Sequence, residues 1–248
     1  MARKIAVTLR KGGCGKTTTA INLAAALHQH GTRILLIDLD PQANATLAVG
    51  IDPLTLTKHV DHLFTRIDTE PQEVVTHTPF GLPVLPAHPD LARTEAGMKA
   101  TQVGMLRGLL AALEARYDVI VIDTPPSESY LTVNALAAAD EVIIPLQAHY
   151  LAMQGLAQAL TQVEQVKRGL NPTLRVAGIL PVMVNARTKI SRLVLEEVAR
   201  SYPELLYPIS IDFSVKHIEA SLAGEPIVVL DPGHQGALSY QLLAERFW

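Results

Sequence analysis

The 248-residue sequence contains a single cysteine, Cys14. One cysteine excludes an intramolecular disulfide, and it excludes metal or iron–sulfur sites that need several cysteines from one chain. Apolar runs long enough to span a bilayer are lacking, and the N-terminal apolar run is too short for a signal peptide. We therefore expect a cytoplasmic protein without a membrane anchor.

An excess of charge of either sign is also lacking, because 21 Lys and Arg residues face 24 Asp and Glu residues. DNA binding would therefore need a local basic patch, since the field of the whole molecule is not positive. Internal repeats, low-complexity tracts and Gly/Ser-rich linkers are lacking as well. With 48% hydrophobic residues, a chain of this length can bury roughly 70–75% of its unfolded surface. We expect one domain over residues 1–248.

Short apolar runs alternate with longer helical patterns along the chain. The runs are "KIAVTL", "RILLID", "YDVIVID", "EVIIPL" and "RVAGILPVMVN". This alternation predicts an α/β fold with a mostly parallel sheet, and runs that are apolar throughout predict helices on both of its faces. The segment 52–89 is less regular, and we expect short helices and loops at the rim there.

The stretch "LRKGGCGKTTT", residues 9–19, follows the first predicted strand and opens the first predicted helix. This context is the one a phosphate-binding loop (P-loop) requires. Gly12, Gly13 and Gly15 would let backbone N–H groups converge on phosphate oxygens, and a helix starting near Lys16 would add its positive N-terminal dipole. An ordinary glycine turn is the weaker alternative. The generic loop has glycine at the position of Arg10.

The loop side chains indicate how a nucleotide would bind. Lys16 would reach the β and γ phosphates, Thr17 would bind Mg²⁺, and Thr18 would contact the α phosphate. Cys14 stands at a loop position where other small residues serve equally well. A redox-sensing thiol is the alternative, and it would need a lowered pKa.

The string "KGGCGKTTTAINLAAAL" resembles the deviant Walker A motif of the ParA/MinD superfamily of ATPases, in which a lysine precedes the double glycine. Further similar segments are "LLIDLDPQANAT" at 35–46, "VIVIDTPPSESYLTVNALAAAD" at 119–140, "NARTKISRLVLEEV" at 185–198 and "EASLAGEPI" near the C-terminus. They cover most of the chain and indicate the ParA branch.

The resemblance implies a P-loop NTPase with ATP and Mg²⁺ as cofactors, and it gives Lys11 a catalytic role. In the family this lysine crosses a homodimer interface to the partner's phosphates. Two triphosphates held face to face in a partly desolvated interface repel each other, and a lysine from each chain offsets that repulsion. A solvated lysine beside a glycine turn is the alternative.

Three aspartates end predicted parallel strands, where ligands bind in open α/β sheets. By resemblance, Asp40 in switch I would position or deprotonate the attacking water, and Asp38 would lie near the magnesium shell. Capping of the following turn is the alternative for both. Asp123 ends a Walker B strand before switch II and would hold Mg²⁺ through water. Asn185 would contact the adenine edge or, alternatively, form a helix N-cap.

Four basic residues would bind DNA without sequence preference in the ATP-bound dimer, according to the resemblance. They are Arg187, Lys189, Arg192 and Lys216. Ordinary solvated charge is the alternative. In "SIDFSVKH", Phe213 stands where many relatives have arginine, which is a departure from the family's DNA surface.

The resemblance implies a short-form partitioning ATPase without an N-terminal helix-turn-helix domain, slow until a ParB-like centromere-binding protein stimulates it on the nucleoid. One alternative is an ATPase that positions a protein cargo on the nucleoid. Another is a metabolic P-loop enzyme, in which a trans-acting lysine would have no use. A MinD-like membrane ATPase would need a basic amphipathic tail, and the ending "QGALSYQLLAERFW" carries little positive charge.

Overall fold

The computed structural model describes residues 1–66, 68–149, 151–185 and 187–247. Its strands are β1 Arg3–Val7, β2 Ile34–Asp38, β3 Thr76–His77, β4 Pro83–Leu85, β5 Val119–Asp123, β6 Glu141–Gln147 and β7 Arg175–Val182. They form one sheet in the order β3-β4-β2-β5-β1-β6-β7. Within the described residues all strand pairs are parallel except β3 with β4. The predicted mostly parallel α/β sheet is confirmed.

The helices are α1 Lys16–Gln29, α2 Asn44–Ala48, α3 Asp61–Thr65, α4 Pro71–Val74, α5 Leu91–Gly97, α6 Met105–Ala111, α7 Tyr130–Ala138, α8 Ala152–Gly169, α9 Lys189–Ser201, α10 Lys216–Ala223, α11 Ile227–Leu230 and α12 Gln235–Ala244. Two 3-10 turns lie at Pro53–Thr55 and Ala100–Gln102. Across the described ranges, no helix has both the length and the apolar character needed to cross a membrane.

Helices cover both faces of the sheet, as the uniformly apolar strands predict. Ile34 and Leu36 of β2 pack into a cluster with α1, α11 and α12. Leu35 and Ile37 of the same strand point the other way, into a cluster with α3, α5, α6 and α7. Both sets are fully buried, because successive side chains of a strand alternate between faces and both faces are covered.

The rim segment 52–89 differs from its prediction, because β3 and β4 lie within it. The strand β4 has three residues and pairs with β2 through Leu36 and Val84. Val84 and Leu85 are fully buried. A strand this short shows no periodicity of its own, and burial against β2 defines it.

The carboxyl ends of the three central strands lie side by side. Val7 of β1 and Asp38 of β2 are both in register with Asp123 of β5. The loop that follows β1 therefore emerges next to the two strand-end aspartates. This edge is where open α/β sheets bind ligands.

Candidate functional site

The glycine loop between β1 and α1 requires glycine at two positions. Gly13 and Gly15 have positive φ angles of 68° and 80°, a region that costs other residues about 1–2 kcal/mol. At Gly15 a Cβ would also lie 3.3 Å from Val182 Cγ2. Gly15 directly precedes α1, so the unpaired N–H groups of the first helical turn face the loop. A helix N-terminus of this kind attracts phosphate.

The loop lines a cavity of about 300 Å³. The structure brings the predicted residues Gly12 to Thr18 together with Asp40 around it. Gln42, Asn44 and Pro126 also line the cavity, and none of them is among the residues predicted from the sequence. Their positions could have indicated a role, because Gln42 and Asn44 lie in the similar segment 35–46 and Pro126 lies in the similar segment 119–140.

Lys16 is buried, and its ammonium donates to the backbone oxygen of Lys11 at 2.9 Å. The positive charge therefore lies within the curve of the loop, facing the phosphate position. Burial raises the pKa of the neighbouring Cys14 thiol, although Lys16 and Lys11 act in the opposite direction. A redox sensor needs a lowered thiol pKa, so the structural role of Cys14 is favoured.

Thr17 and Asp123 form a pair that fits Mg²⁺. The Thr17 hydroxyl donates to Asp123 Oδ2 at 2.8 Å, and Asp123 Oδ1 is buried without a hydrogen-bond partner. Burial, followed by the charge of Asp38, raises the pKa of Asp123 well above its usual range. A bound divalent cation would satisfy the unpartnered oxygen and favour the ionised carboxylate.

Asp38 is fully buried and uses both carboxylate oxygens within its own chain. Oδ1 accepts from Asp40 N at 3.0 Å, and Oδ2 accepts from Thr46 N at 2.9 Å and from Thr46 Oγ1 at 2.8 Å. Burial raises the pKa of Asp38 to about 6, and the bonds from Thr46 oppose this increase. These contacts are those of the turn-capping alternative, and they fix the path of the loop carrying Asp40. The place of Asp38 in a magnesium shell stays a prediction.

Asp40 is 6% exposed and lines the phosphate cavity. Its Oδ1 accepts from Gln42 N at 3.0 Å. The carboxylate is therefore held at the cavity wall, which is compatible with positioning a water there. That role stays a prediction.

Lys11 lies against its own chain at the end of β6. Its ammonium contacts Gln147 Oε1 at 3.5 Å and also His149 Nε2. Burial, followed by the charge of Lys11, lowers the pKa of His149, so that both contacts are with neutral groups near pH 7. Within the described part of the chain, no carboxylate lies within ion-pair distance of Lys11.

A second, mostly apolar cavity of about 240 Å³ adjoins the first and shares Gly15, Thr18 and Met183 with it. No sequence motif predicts this cavity, since its walls come from segments far apart in the chain. They include Val182, Ile211, Phe213, His217 and Tyr240. Both ring nitrogens of His217 are buried without a hydrogen-bond partner. The cavity suits a flat ring with polar edges.

Asn185 is exposed, and its Oδ1 accepts a hydrogen bond from Arg187 N at 3.1 Å. The N-cap alternative for Asn185 is wrong, because Thr188 precedes α9 and its side chain accepts from Ser191 N. Asn185 does not line the apolar cavity. A contact with adenine stays a prediction for this residue.

The predicted basic residues fall into two groups. Arg187, Lys189 and Arg192 are exposed at the start of α9 and, over the described ranges, pair with no carboxylate. Lys189 and Arg192 are one turn apart and can face one way. Lys216 begins α10 and pairs with Glu219 at 2.6 Å. The first group is the better candidate for phosphate contacts.

Comparison with known proteins gives matches over nearly the whole chain. A protein-family model described as "AAA domain" matches residues 2–176. The sporulation initiation inhibitor protein Soj of Bacillus subtilis is 40% identical over 249 residues, which cover 99% of this chain and 98% of that protein. The chromosome-partitioning ATPase Soj of Thermus thermophilus is 42% identical, with 98% and 94% covered.

Solved structures have the same fold. A Mycobacterium smegmatis protein described as cobyrinic acid a,c-diamide synthase, with bound ADP and magnesium, superposes with a TM-score of 0.85 at 39% identity, covering 99% of this chain and 93% of that one. The septum site-determining protein MinD of Pyrococcus horikoshii, complexed with Mg-ADP, has a TM-score of 0.83 at 23% identity, covering 99% and 96%. At that identity the second match shows the fold alone.

Proposed function

Because this chain belongs to the Soj/ParA family of chromosome-partitioning ATPases, we propose that it is an ATP-dependent homodimer that binds DNA non-specifically and drives its partition. It is a P-loop ATPase whose cofactors are ATP and Mg²⁺. Dimerisation, DNA binding and a ParB-like partner are the proposed extensions, together with action on the nucleoid.

ATP would extend across the two adjoining cavities, with its triphosphate in one and its adenine in the other. The triphosphate would lie at the start of α1, where Lys16 and the loop N–H groups offset its charge. Thr17 and Asp123 would hold Mg²⁺, which neutralises charge on the phosphates during transfer. Asp40, at the cavity wall, would orient the attacking water. The adenine would occupy the apolar cavity between Phe213 and His217.

Lys11 is the observation that carries the dimer proposal. Its ammonium is next to the phosphate loop, half-buried, and held in its own chain by Gln147 and His149. Neutral partners bind a lysine less strongly than a carboxylate would. The partner's triphosphate would therefore compete well for this side chain, and ATP binding would draw the two chains together.

The α9 basic group supports DNA binding by the dimer. Three exposed cations that form no ion pair within the described part of the chain are available to phosphates at low cost, and a symmetric dimer presents the group twice. Because the net charge is −3, the field of the whole molecule does not attract DNA, and a local basic surface would have to supply the attraction. A ParB-like protein would stimulate turnover of the DNA-bound dimer.

One observation supports the alternative of a metabolic P-loop enzyme, namely the similarity to the Mycobacterium smegmatis structure described as a synthase. An enzyme acting on a small molecule needs no trans-acting lysine, so nucleotide-dependent dimerisation separates the two functions. A nucleoid-based cargo-positioning ATPase shares the dimer and DNA binding. Co-purification of the bound partner would distinguish that second alternative.

The first test measures molecular mass by light scattering with ATP, with ADP and without nucleotide. We expect Lys16→Ala to lose nucleotide binding and dimerisation together, whereas Lys11→Ala loses the ATP dimer and keeps most of its nucleotide affinity. The exposed, ion-paired Lys58 provides the matched control Lys58→Ala, which should dimerise normally. Normal ATP-dependent dimerisation by Lys11→Ala would refute the trans role.

The second test titrates DNA binding with salt, using unrelated sequences and both nucleotides. The log–log slope should be near −0.9 per phosphate neutralised. An Arg187→Glu, Lys189→Glu double variant should bind more weakly and less steeply, while still binding ATP. A Lys167→Glu, Arg168→Glu variant makes the same change of net charge on α8 and should bind nearly as wild type. Equal losses in the two variants would mean that α9 has no special role.

A further inference from the structure

Three histidines and two aspartates meet at the rim of the sheet, away from the nucleotide cavities. His59 precedes α3, Asp61 and His62 begin it, and His88 and Asp90 follow β4. The imidazole of His59 lies 4.1 Å from that of His62 and 4.2 Å from that of His88, measured between ring centres. Neither the phosphate cavity nor the apolar cavity includes any of these residues.

The His59, Asp61 and His62 group contains buried polar atoms without partners. Their ligand atoms all lie within 4.8 Å of one another. His59 is 4% exposed and Asp61 7%, and among the described residues neither His59 Nδ1 nor Asp61 Oδ1 has a hydrogen-bond partner. Such atoms are rare in native proteins, and a bound ion is one partner that would satisfy them. His62 is also buried.

The overlapping group of His59, His88 and Asp90 is better satisfied. His88 Nδ1 accepts from Asp90 N at 3.1 Å, and the Asp90 carboxylate pairs with Arg93 at 2.8 Å. Asp90 is thus already committed to other partners. His88 keeps its other ring nitrogen, and its contact with His59 leaves it available as an additional ligand.

We propose that His59, Asp61 and His62 bind one divalent transition-metal ion of the zinc class, with His88 or water in the fourth position. Two imidazoles and one carboxylate are a donor set typical of zinc. Mg²⁺ and Ca²⁺ prefer oxygen ligands throughout, so this site would differ in selectivity from the Thr17 and Asp123 pair.

The site would be connected to the loop that carries Asp40. Val60 N donates to Pro86 O at 2.9 Å, and Ala87 N donates to Thr46 Oγ1 at 2.9 Å. Thr46 in turn holds Asp38. A metal ion at the start of α3 would therefore stiffen the segment between β4 and Thr46, and would slow hydrogen exchange of the Ala87 amide.

The test uses the full chain saturated with Mg-ADP, so that the nucleotide site is filled, and measures Zn²⁺ binding by competition with a chromophoric chelator. We expect one ion per chain and a higher melting temperature with Zn²⁺ than without it. His62→Gln and Asp61→Asn should each weaken binding by at least about tenfold and remove the melting shift. His77→Gln, at an exposed position on β3, should behave as wild type.

Co²⁺ in place of Zn²⁺ gives a second readout, since its visible absorption should show nitrogen and oxygen ligands in the wild type and change in His59→Gln. Circular dichroism without metal checks that each variant folds, and the near-isosteric Asp61→Asn is the variant least at risk. The proposal is overturned if the wild type binds no Zn²⁺ under these conditions. It is also overturned if the folded His62 and Asp61 variants bind Zn²⁺ as tightly as His77→Gln.

Discussion

Thr46 joins the buried aspartate of β2 to the segment after β4. Its hydroxyl donates to Asp38 Oδ2 at 2.8 Å and accepts from Ala87 N at 2.9 Å. Thr46→Val keeps the shape of the side chain and removes both bonds. A bond to a charged acceptor contributes about 1.5–3 kcal/mol, and an unsatisfied buried N–H costs about 1–3 kcal/mol. We therefore expect a loss of about 2.5–6 kcal/mol in the free energy of unfolding, and a melting temperature lower by roughly 5–24 °C.

The matched control is Thr19→Val. Thr19 is as fully buried as Thr46, and its hydroxyl contacts the neutral Tyr240 Oη at 3.4 Å, so the expected loss is below about 1 kcal/mol. The assay is denaturant unfolding of both variants at pH 8 and pH 5. Burial raises the pKa of Asp38 to about 6, so the carboxyl is ionised in the folded protein at the higher pH. Because Thr46 favours the ionised form, the cost of Thr46→Val should be larger at pH 8. Equal losses in Thr46→Val and Thr19→Val, or no dependence on pH, would refute the reasoning.

Three further outcomes are expected. Asp40→Ala should keep Mg-ATP, lose turnover and accumulate the ATP dimer, measured by phosphate release and light scattering; undiminished turnover would remove Asp40 from the catalytic residues. Phe213→Ala should weaken ADP binding by about 1–3 kcal/mol if the ring stacks on the adenine base. Leu222→Ala, on the exposed side of α10, should leave ADP binding unchanged. A fluorescent-nucleotide titration that finds equal affinities for the two variants would contradict adenine binding in the apolar cavity. Burial raises the pKa of Glu141, but hydrogen bonds from two arginines outweigh it and leave the pKa below its usual value. That stability is complete above the unfolded pKa near 4.5 and is lost as pH falls, so Glu141→Gln should cost about 1–3 kcal/mol at pH 7 and little at pH 3 in unfolding experiments. The same cost at both pH values would contradict this assignment.

The central sheet was predictable because its strands have uniform apolar runs. Burial on both faces favours apolar side chains along most of each strand, and the helical patterns between the runs indicate parallel pairing. The strands β3 and β4 were not predictable in this way. They have two and three residues, and the contact with β2 that makes β4 a strand lies far away in the sequence.

The phosphate cavity was predictable for a related reason. Its loop is one continuous stretch, Asp38 and Asp123 end strands whose register places them side by side, and Asp40 follows Asp38 by two residues. The apolar cavity was not, because its wall combines the end of β7, the segment before α10, and α12. No local sequence pattern indicates that Phe213 and Tyr240 line the same cavity. From the sequence, Phe213 is notable only because it stands where many relatives have a DNA-binding arginine.

The hydrogen bonds of Asp38 differ from those of Asp123, although both residues end a strand. Three donors, Asp40 N, Thr46 N and Thr46 Oγ1, occupy most of the lone-pair positions of the Asp38 carboxylate, so little of it is left to hold Mg²⁺ directly. Asp123 has the opposite arrangement, one donor and one unpartnered oxygen. The two carboxylates are adjacent in the sheet, and burial raises the pKa of both. A cation beside Asp123 would therefore also favour ionised Asp38 and strengthen its hold on the loop of Asp40, so that metal binding and the placing of the catalytic carboxylate are coupled through charge.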